Sequence, residues 1–172
     1  SHYSLLDGLS KIPDLLDYTK TLGMDSIALT DHGALYGNIE FYKEAKKRGI
    51  KPIFGMEAYV ANRSMHDKEP NVDDKRYHLT LIAKNNQGYQ NLITLSSKSH
   101  LEGFYYKPRV DKKLLQEYSE GLIALSGCLQ GEISRAILSL NKSEAERLVK
   151  EYANIFGKEN FYLDLQHHPN IP

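Results

Sequence analysis

Asp7, His32, Glu57, His78 and Cys128 are side chains suited to holding divalent metals. Each sits in a short apolar stretch that reads as a strand–helix junction: LLDGL, ALTDHGAL, FGMEAYV, YHLTLIAKN and ALSGCLQG. In a parallel α/β barrel such junctions meet at one mouth. The recurrence therefore points to a multinuclear metal centre. Hydrolysis of a phosphoester is the chemistry expected of it, because metals held close together activate water and stabilise the leaving oxygen. A mixed set of imidazole, carboxylate and one thiolate suits Zn, Mn or Fe better than Ca or Mg.

Each residue also has a plainer reading. TDHG is equally an Asx turn before the next helix; as a site, His32 ligates and Asp31 orients a neighbour from behind it. Glu57 lies inside an apolar strand, where a carboxylate needs a cation or a buried ion pair. His78 opens its strand rather than closing it, which sits badly with the barrel-mouth rule. Cys128 follows GLIALSG and precedes a helix: a free cysteine is commonly a small buried apolar group, while a helix N-terminus favours its thiolate. Asp7 is otherwise a turn aspartate before Gly8. In GFYYKPRVD, Arg109 and Lys107 are the phosphate-contact candidates, with Tyr105 or Tyr106 placed to stack on a base; the alternative is a solvated loop. Lys43, Lys46, Lys47, Arg48 and Lys51 cluster around a helix end and read as partners of the helix dipole. His167 and His168 end the last strand at the expected mouth.

The elements that must position these groups alternate. Helices are expected at 12–22, 38–48, 86–100, 111–118, 129–140 and 143–156, the last opened by a Ser143/Glu146 capping box. Strands are expected at 26–30, 51–61, 77–84, 121–126 and 161–166, and 62–75 reads as a mobile loop. Strand–helix alternation argues for a parallel sheet, open or closed into a barrel. A length of 172 residues with 41% hydrophobic content supports one domain or a large piece of one. Lys plus Arg and Asp plus Glu both total 22, so no global basic field draws the chain to nucleic acid and any such contact must be local. The single cysteine excludes an internal disulfide framework and fits a reducing cytosol. No apolar run approaches the ~18 residues of a membrane span, and neither GxxxxGK nor GxGxxG is present. Both ends read as cut through a domain.

The segments HYSLLDGLSKIPDLL, ALTDHGALYGNIEFYKEAKKRGIKPIFGMEAYV, YHLTLIAKNNQGYQNL, GFYYKPRVD and LIALSGCLQGEI together resemble a known family. It is the PHP (polymerase and histidinol phosphatase) domain at the N-terminus of bacterial replicative DNA polymerase III alpha subunits of the DnaE type. The resemblance runs over essentially the whole chain. It implies a distorted seven-stranded (β/α) barrel holding up to three metal ions, often Zn. By motif it assigns Asp7, His32, Glu57, His78 and Cys128 as ligands. The family's further ligands, a His-x-His pair and an Asp-x-His pair, would lie upstream of Ser1 and downstream of the last strand, so residues 1–172 are expected to be an incomplete PHP fragment, inactive in isolation. The parent implied is a cytoplasmic DNA polymerase using Mg at a polymerase site outside this stretch. Primer–template DNA, a sliding clamp and other replisome subunits would be its partners. Within it the PHP site is either a 3′–5′ exonuclease or a metal-stabilised scaffold that docks a separate proofreading subunit. A free-standing histidinol-phosphatase-type phosphoesterase is the third reading.

Overall fold

The structure is a computed structural model that describes residues 1–167; His168 lies outside the described residues. Pro13 in the first turn and Asp14 near the positive end open α1 (Ile12–Thr21), which buries Ile12, Leu16 and Thr19. Strand β1 (Ser26–Leu29) follows, then α2 (Asn38–Arg48), with Lys46, Lys47 and Arg48 at its negative end. The long β2 (Lys51–Ala61) and β3 (Arg76–Ala83) lead to α3 (Asn86–Leu101), capped by the Asn85 side chain. Next come β4 (Arg109–Val110), α4 (Lys112–Glu117) capped by Asp111, β5 (Leu122–Leu125), α5 (Glu132–Leu138), α6 (Lys142–Phe156) and β6 (Phe161–Tyr162). Helix α6 starts one residue before Ser143. Its cap is Asn141, whose Oδ1 accepts from the Glu144 N–H at 3.1 Å, so the expected Ser143/Glu146 capping box does not form. Leu140 turns the chain through a positive φ of 55°, which puts Asn141 rather than Ser143 at the entry.

The strands form one sheet in the order β1-β2-β3-β5-β6, with β4 also paired to β2. Pairing is parallel for β1–β2, β2–β4 and β5–β6, but antiparallel for β2–β3 and β3–β5. The expectation of a parallel sheet is thus corrected at β3. The reason is the connection: residues 62–75 hold no helix, and a parallel crossover needs a connection of a dozen or more residues, usually built as one. The described residues make six strands, not the implied seven, and the expected strand at 161–166 shrinks to Phe161–Tyr162. One apolar core centres on Met56, Leu79, Leu81, Leu92, Leu95, Leu115, Leu122, Leu148 and Phe156. A smaller one, under α1 and α2, contains Ile12, Leu16, Leu29, Phe41 and Ile50.

The 62–75 segment is tied down rather than loose. Arg63 holds Asp73 through two hydrogen bonds of 2.9 and 2.6 Å and reaches Glu69 at 2.9 Å. Arg109 is fully buried beneath it. Its guanidinium donates to the carbonyls of Gly103 (3.1 Å), Asp73 (2.8 Å), Met65 (2.8 Å) and Asp67 (2.9 Å) and lies over the Tyr105 ring. No face of Arg109 remains for a phosphate, so its expected role as a phosphate clamp is replaced by that of a loop anchor.

Arg109→Met should lower the free energy of unfolding by roughly 3 kcal/mol or more, since three buried carbonyls and a part-buried fourth lose a charged donor. Urea denaturation checks this, and Arg109→Lys should not restore it, because one ammonium cannot reproduce the planar fork. The Arg63 guanidinium holds the Asp73 carboxyl down at about 2, from an ordinary 3.8. A depressed carboxylate stabilises the fold above its unfolded pKa and ceases to as pH falls through the folded one. Proteolysis within 62–75 should therefore accelerate between about pH 4 and pH 2, and in Asp73→Asn it should already be fast at pH 6.

Candidate metal centre

Glu57 is placed by β2, and the two strands beside it bring its neighbours. On one edge, the residues after β1 continue alongside β2: Glu57 N–H donates to the Asp31 carbonyl at 3.0 Å, and Gly33 N–H donates to the Glu57 carbonyl at 2.8 Å. This sets His32 opposite Glu57. Gly33 has φ 63°, and a Cβ there would strike the Tyr59 ring, so the turn that presents His32 needs glycine. On the other edge, antiparallel β3 pairs His78 with Tyr59 and Thr80 with Glu57. Because β3 runs against its neighbours, its first residues lie at the end where β5 finishes and the chain turns into Gly127 and Cys128. The strain noted for His78 disappears: a histidine that opens an antiparallel strand reaches the same mouth as residues that close parallel ones.

The donor atoms converge. His78 Nδ1 is 3.1 Å from Glu57 Oε1 and 3.5 Å from Cys128 Sγ. One ligand atom from each of Glu57, His78 and Cys128 lies within 4.8 Å of the others. Gly127, at φ 78°, turns the chain so closely over His78 that a Cβ would meet the His78 carbonyl at 3.0 Å. His32 adjoins this group, with Nε2 3.8 Å from Glu57 Oε1, while its Nδ1 faces Asp7 Oδ2 at 3.1 Å. Asp7 stands on the far, more exposed side of His32. With its proton on Nδ1, the nitrogen facing Asp7, His32 carries its lone pair on Nε2, on the Glu57 side.

Among the described residues, Asp31 touches no imidazole. It is buried and accepts hydrogen bonds from the Ser4 hydroxyl at 2.7 Å and from the Ser1 hydroxyl at 3.0 Å. Ser4 Oγ accepts in turn from the His32 backbone N–H at 3.0 Å. Asp31 thus anchors the turn that carries Asp7 to His32. It is no Asx cap either, since α2 starts from Gly37 without a side-chain cap. Lys107 stays at the site, with its ammonium 5.7 Å from the centre of the Tyr59 ring. His167 is exposed and, among the described residues, outside the cluster.

The donor set fits a metal. Glu57 Oε1 is buried and has no hydrogen-bond partner. Its only charged-type neighbours among the described residues are imidazoles, so the ion pair that would otherwise explain a strand carboxylate is missing. Burial, partly offset by Glu57, lowers the pKa of His78 below the ordinary imidazole value, which keeps the ring neutral and able to ligate near neutral pH.

A cleft of about 430 Å³ opens over the centre, lined by Asp7, His32, His78, Tyr36, Arg76 and Lys107 among others. Arg76 was not singled out in the sequence. Its guanidinium lies 5.7 Å from the Tyr59 ring centre and its Nε is buried without a partner. The Tyr36–His100 pair was also missed: His100 Nδ1 donates to the Ser96 carbonyl at 2.9 Å, leaving Nε2 to accept from the Tyr36 hydroxyl at 3.3 Å. The basic residue directly before YHL was the one available signal for Arg76.

Among the described residues, no helix is long and apolar enough to cross a membrane. Residues 1–168 match the PHP domain. The sequence is 52% identical to the DNA polymerase III subunit alpha of Borreliella burgdorferi over 98% of this chain and 15% of that protein. It is 47% identical to that of Thermus aquaticus over 98% of this chain and 14% of that one. The chain spans about one seventh of the length of these relatives. Likeness to solved structures is slighter: a Bifidobacterium adolescentis protein assigned as a metal-dependent phosphoesterase overlaps at TM-score 0.49 and 10% identity, over 87% of this chain and 80% of that one. With the family matched from Ser1 almost to the last residue, the chain belongs to the PHP domain family, in the form carried by DNA polymerase III alpha subunits.

Proposed function

We propose that this domain is the metal-dependent phosphoesterase part of a cytoplasmic DNA polymerase III alpha subunit, removing nucleotides from the 3′ end of DNA. The observation that carries the reading is the buried Glu57 Oε1, which makes no hydrogen bond and lies 3.1 Å from His78 Nδ1, with Cys128 beside it. Glu57, His78, Cys128 and His32 would hold the metal, with Asp7 as a ligand or as the group orienting His32. Zn is the best match to a thiolate-containing set, Mn and Fe following, and more than one ion is expected once Asp7 and His32 are engaged. When bound, the metal supplies Lewis-acid stabilisation of phosphate charge and an activated water.

The chain's own residues have separate tasks. Asp7 holds the His32 tautomer. Ser4 and Asp31 fix the turn that carries Asp7. Lys107 and Arg76 place positive charge at the cleft where a phosphate would sit. In the full-length polymerase, primer–template DNA, the sliding clamp and other replisome subunits would be the partners, with Mg serving the polymerase site elsewhere.

A scaffold that merely keeps its metal is the competing reading, and one experiment separates the two. Full-length protein purified without chelator is analysed for metal and incubated with a 3′-mismatched primer and no nucleotides. Bound metal with cleavage that is lost in His78→Ala supports the nuclease. Bound metal without cleavage supports the scaffold.

Glu57→Gln and His78→Ala should each cut metal content by at least half, and should abolish the rise in thermal midpoint that added Zn gives the parent chain. Unchanged metal in both variants would remove these residues from the ligand set. Asp31→Asn should leave Glu57, His78 and Cys128 in place while loosening the Ser1–Gly8 turn, so its metal loss should be smaller and its amide exchange in that turn faster.

A further inference from the structure

The cleft over the metal centre adjoins a second one. This second cleft, about 740 Å³, is lined by Asp74, Lys75, Arg76, Tyr77, His78, Gln130, Arg135 and Ser139, so Arg76 and His78 belong to both. Arg76 and His78 therefore stand where the two clefts adjoin, and we read the pair as one channel past the metal centre.

The cations along that channel lack carboxylate partners. Of the six arginines, Arg48, Arg63 and Arg147 are ion-paired, and Arg109 is buried on carbonyls. The other two, Arg76 and Arg135, both line the channel, and among the described residues neither has a carboxylate in ion-pairing range. Lys75 and Lys107 line it as well and are likewise without one. Arg135 donates to the Gln130 side chain and Arg76 to the Asp74 carbonyl at 2.9 Å, contacts that orient each guanidinium without neutralising it. Arg76 and Lys107 both approach the ring of Tyr59, each 5.7 Å from its centre. The electron-rich face of that ring draws both cations to one place and leaves their charge available to an anion. Against four cations the cleft walls set two carboxylates, Asp7 and Asp74, beside Glu57 in the metal centre. Tyr36, well exposed on the wall, offers a face for a base.

We propose that Lys75, Arg76, Lys107 and Arg135 form one phosphate track across the metal centre, which makes the site a channel for a single polynucleotide strand and not a pocket for a phosphate monoester. The inference rests on the metal-site reading above and adds the residues that select the substrate. A monoester would engage Arg76 and Lys107 alone. A strand must also engage Arg135 and Lys75 beyond the join.

The test is anisotropy of a labelled oligothymidylate of about ten nucleotides, titrated with the full chain in chelator so that nothing is cleaved. Arg76→Gln and Arg135→Gln should each weaken binding roughly ten-fold and lower the salt dependence by about 0.7 per lost contact. Arg76→Lys should restore most of the loss, showing that charge and not folding is at issue. Lys113→Gln/Lys150→Gln is the control, because it changes an unrelated basic cleft beside Lys112 and Arg147. It should leave affinity unchanged. Thymidine monophosphate, as competitor, should lose affinity in Arg76→Gln but not in Arg135→Gln. The track is overturned if the parent chain does not bind the strand, if Arg135→Gln binds it normally, or if the control weakens it as much. Glu57→Gln keeps the two readings apart: normal strand binding together with unchanged metal content in that variant would leave the track standing and remove Glu57 from the metal centre.

Discussion

A carboxylate inside a strand, without a cation to pair with, is the constraint around which this domain is organised. Glu57 could be explained by a lysine or arginine reaching over it, and among the described residues none does. The groups that approach it are His78 and, further off, His32, with Cys128 beside His78. Removing such an oxygen from water is costly, and neutral imidazoles return little of that cost. A divalent cation would return it, which is why the proposed metal site is built on this residue.

The fold supplies this arrangement through one reversed strand. Had β3 joined the sheet in the parallel sense, His78 would lie at the opposite end from Cys128. The helix-free 62–75 connection lets β3 return antiparallel, and that connection depends on Arg109 and Arg63, which bind its carbonyls and carboxylates. A buried guanidinium behind the sheet and a histidine at its mouth are thus linked: loosening the first frees the segment that sets the register of the second.

Much of this was legible in the sequence. The helices at 12–22, 38–48 and 86–100 follow from apolar spacing and clear stops, and they form within a residue or so of the expected bounds. The metal-type residues were visible because a carboxylate, imidazole or thiol next to an apolar run is conspicuous. What was not legible was contact. Arg109 looks like a phosphate ligand because sequence cannot show four carbonyls closing over it. Arg76 passes unnoticed because its distinguishing property is the lack of a carboxylate partner among the described residues, and that is only defined in three dimensions. The entry of α6 was misplaced because Ser143 and Glu146 satisfy the capping pattern, yet the positive φ at Leu140 starts the helix earlier. Strand direction depended on what 62–75 does not contain.

The most direct measurement at the metal centre is a cobalt(II) titration of the metal-free chain, followed by absorption spectroscopy. Cobalt substitutes for zinc and reports a coordinated thiolate through a charge-transfer band. If Cys128, His78 and Glu57 share one ion, the band appears at stoichiometric cobalt, vanishes in Cys128→Ser, and needs much more cobalt in Glu57→Gln. Cobalt binding with no thiolate band, or a band indifferent to Glu57, would contradict a centre built around the buried carboxylate.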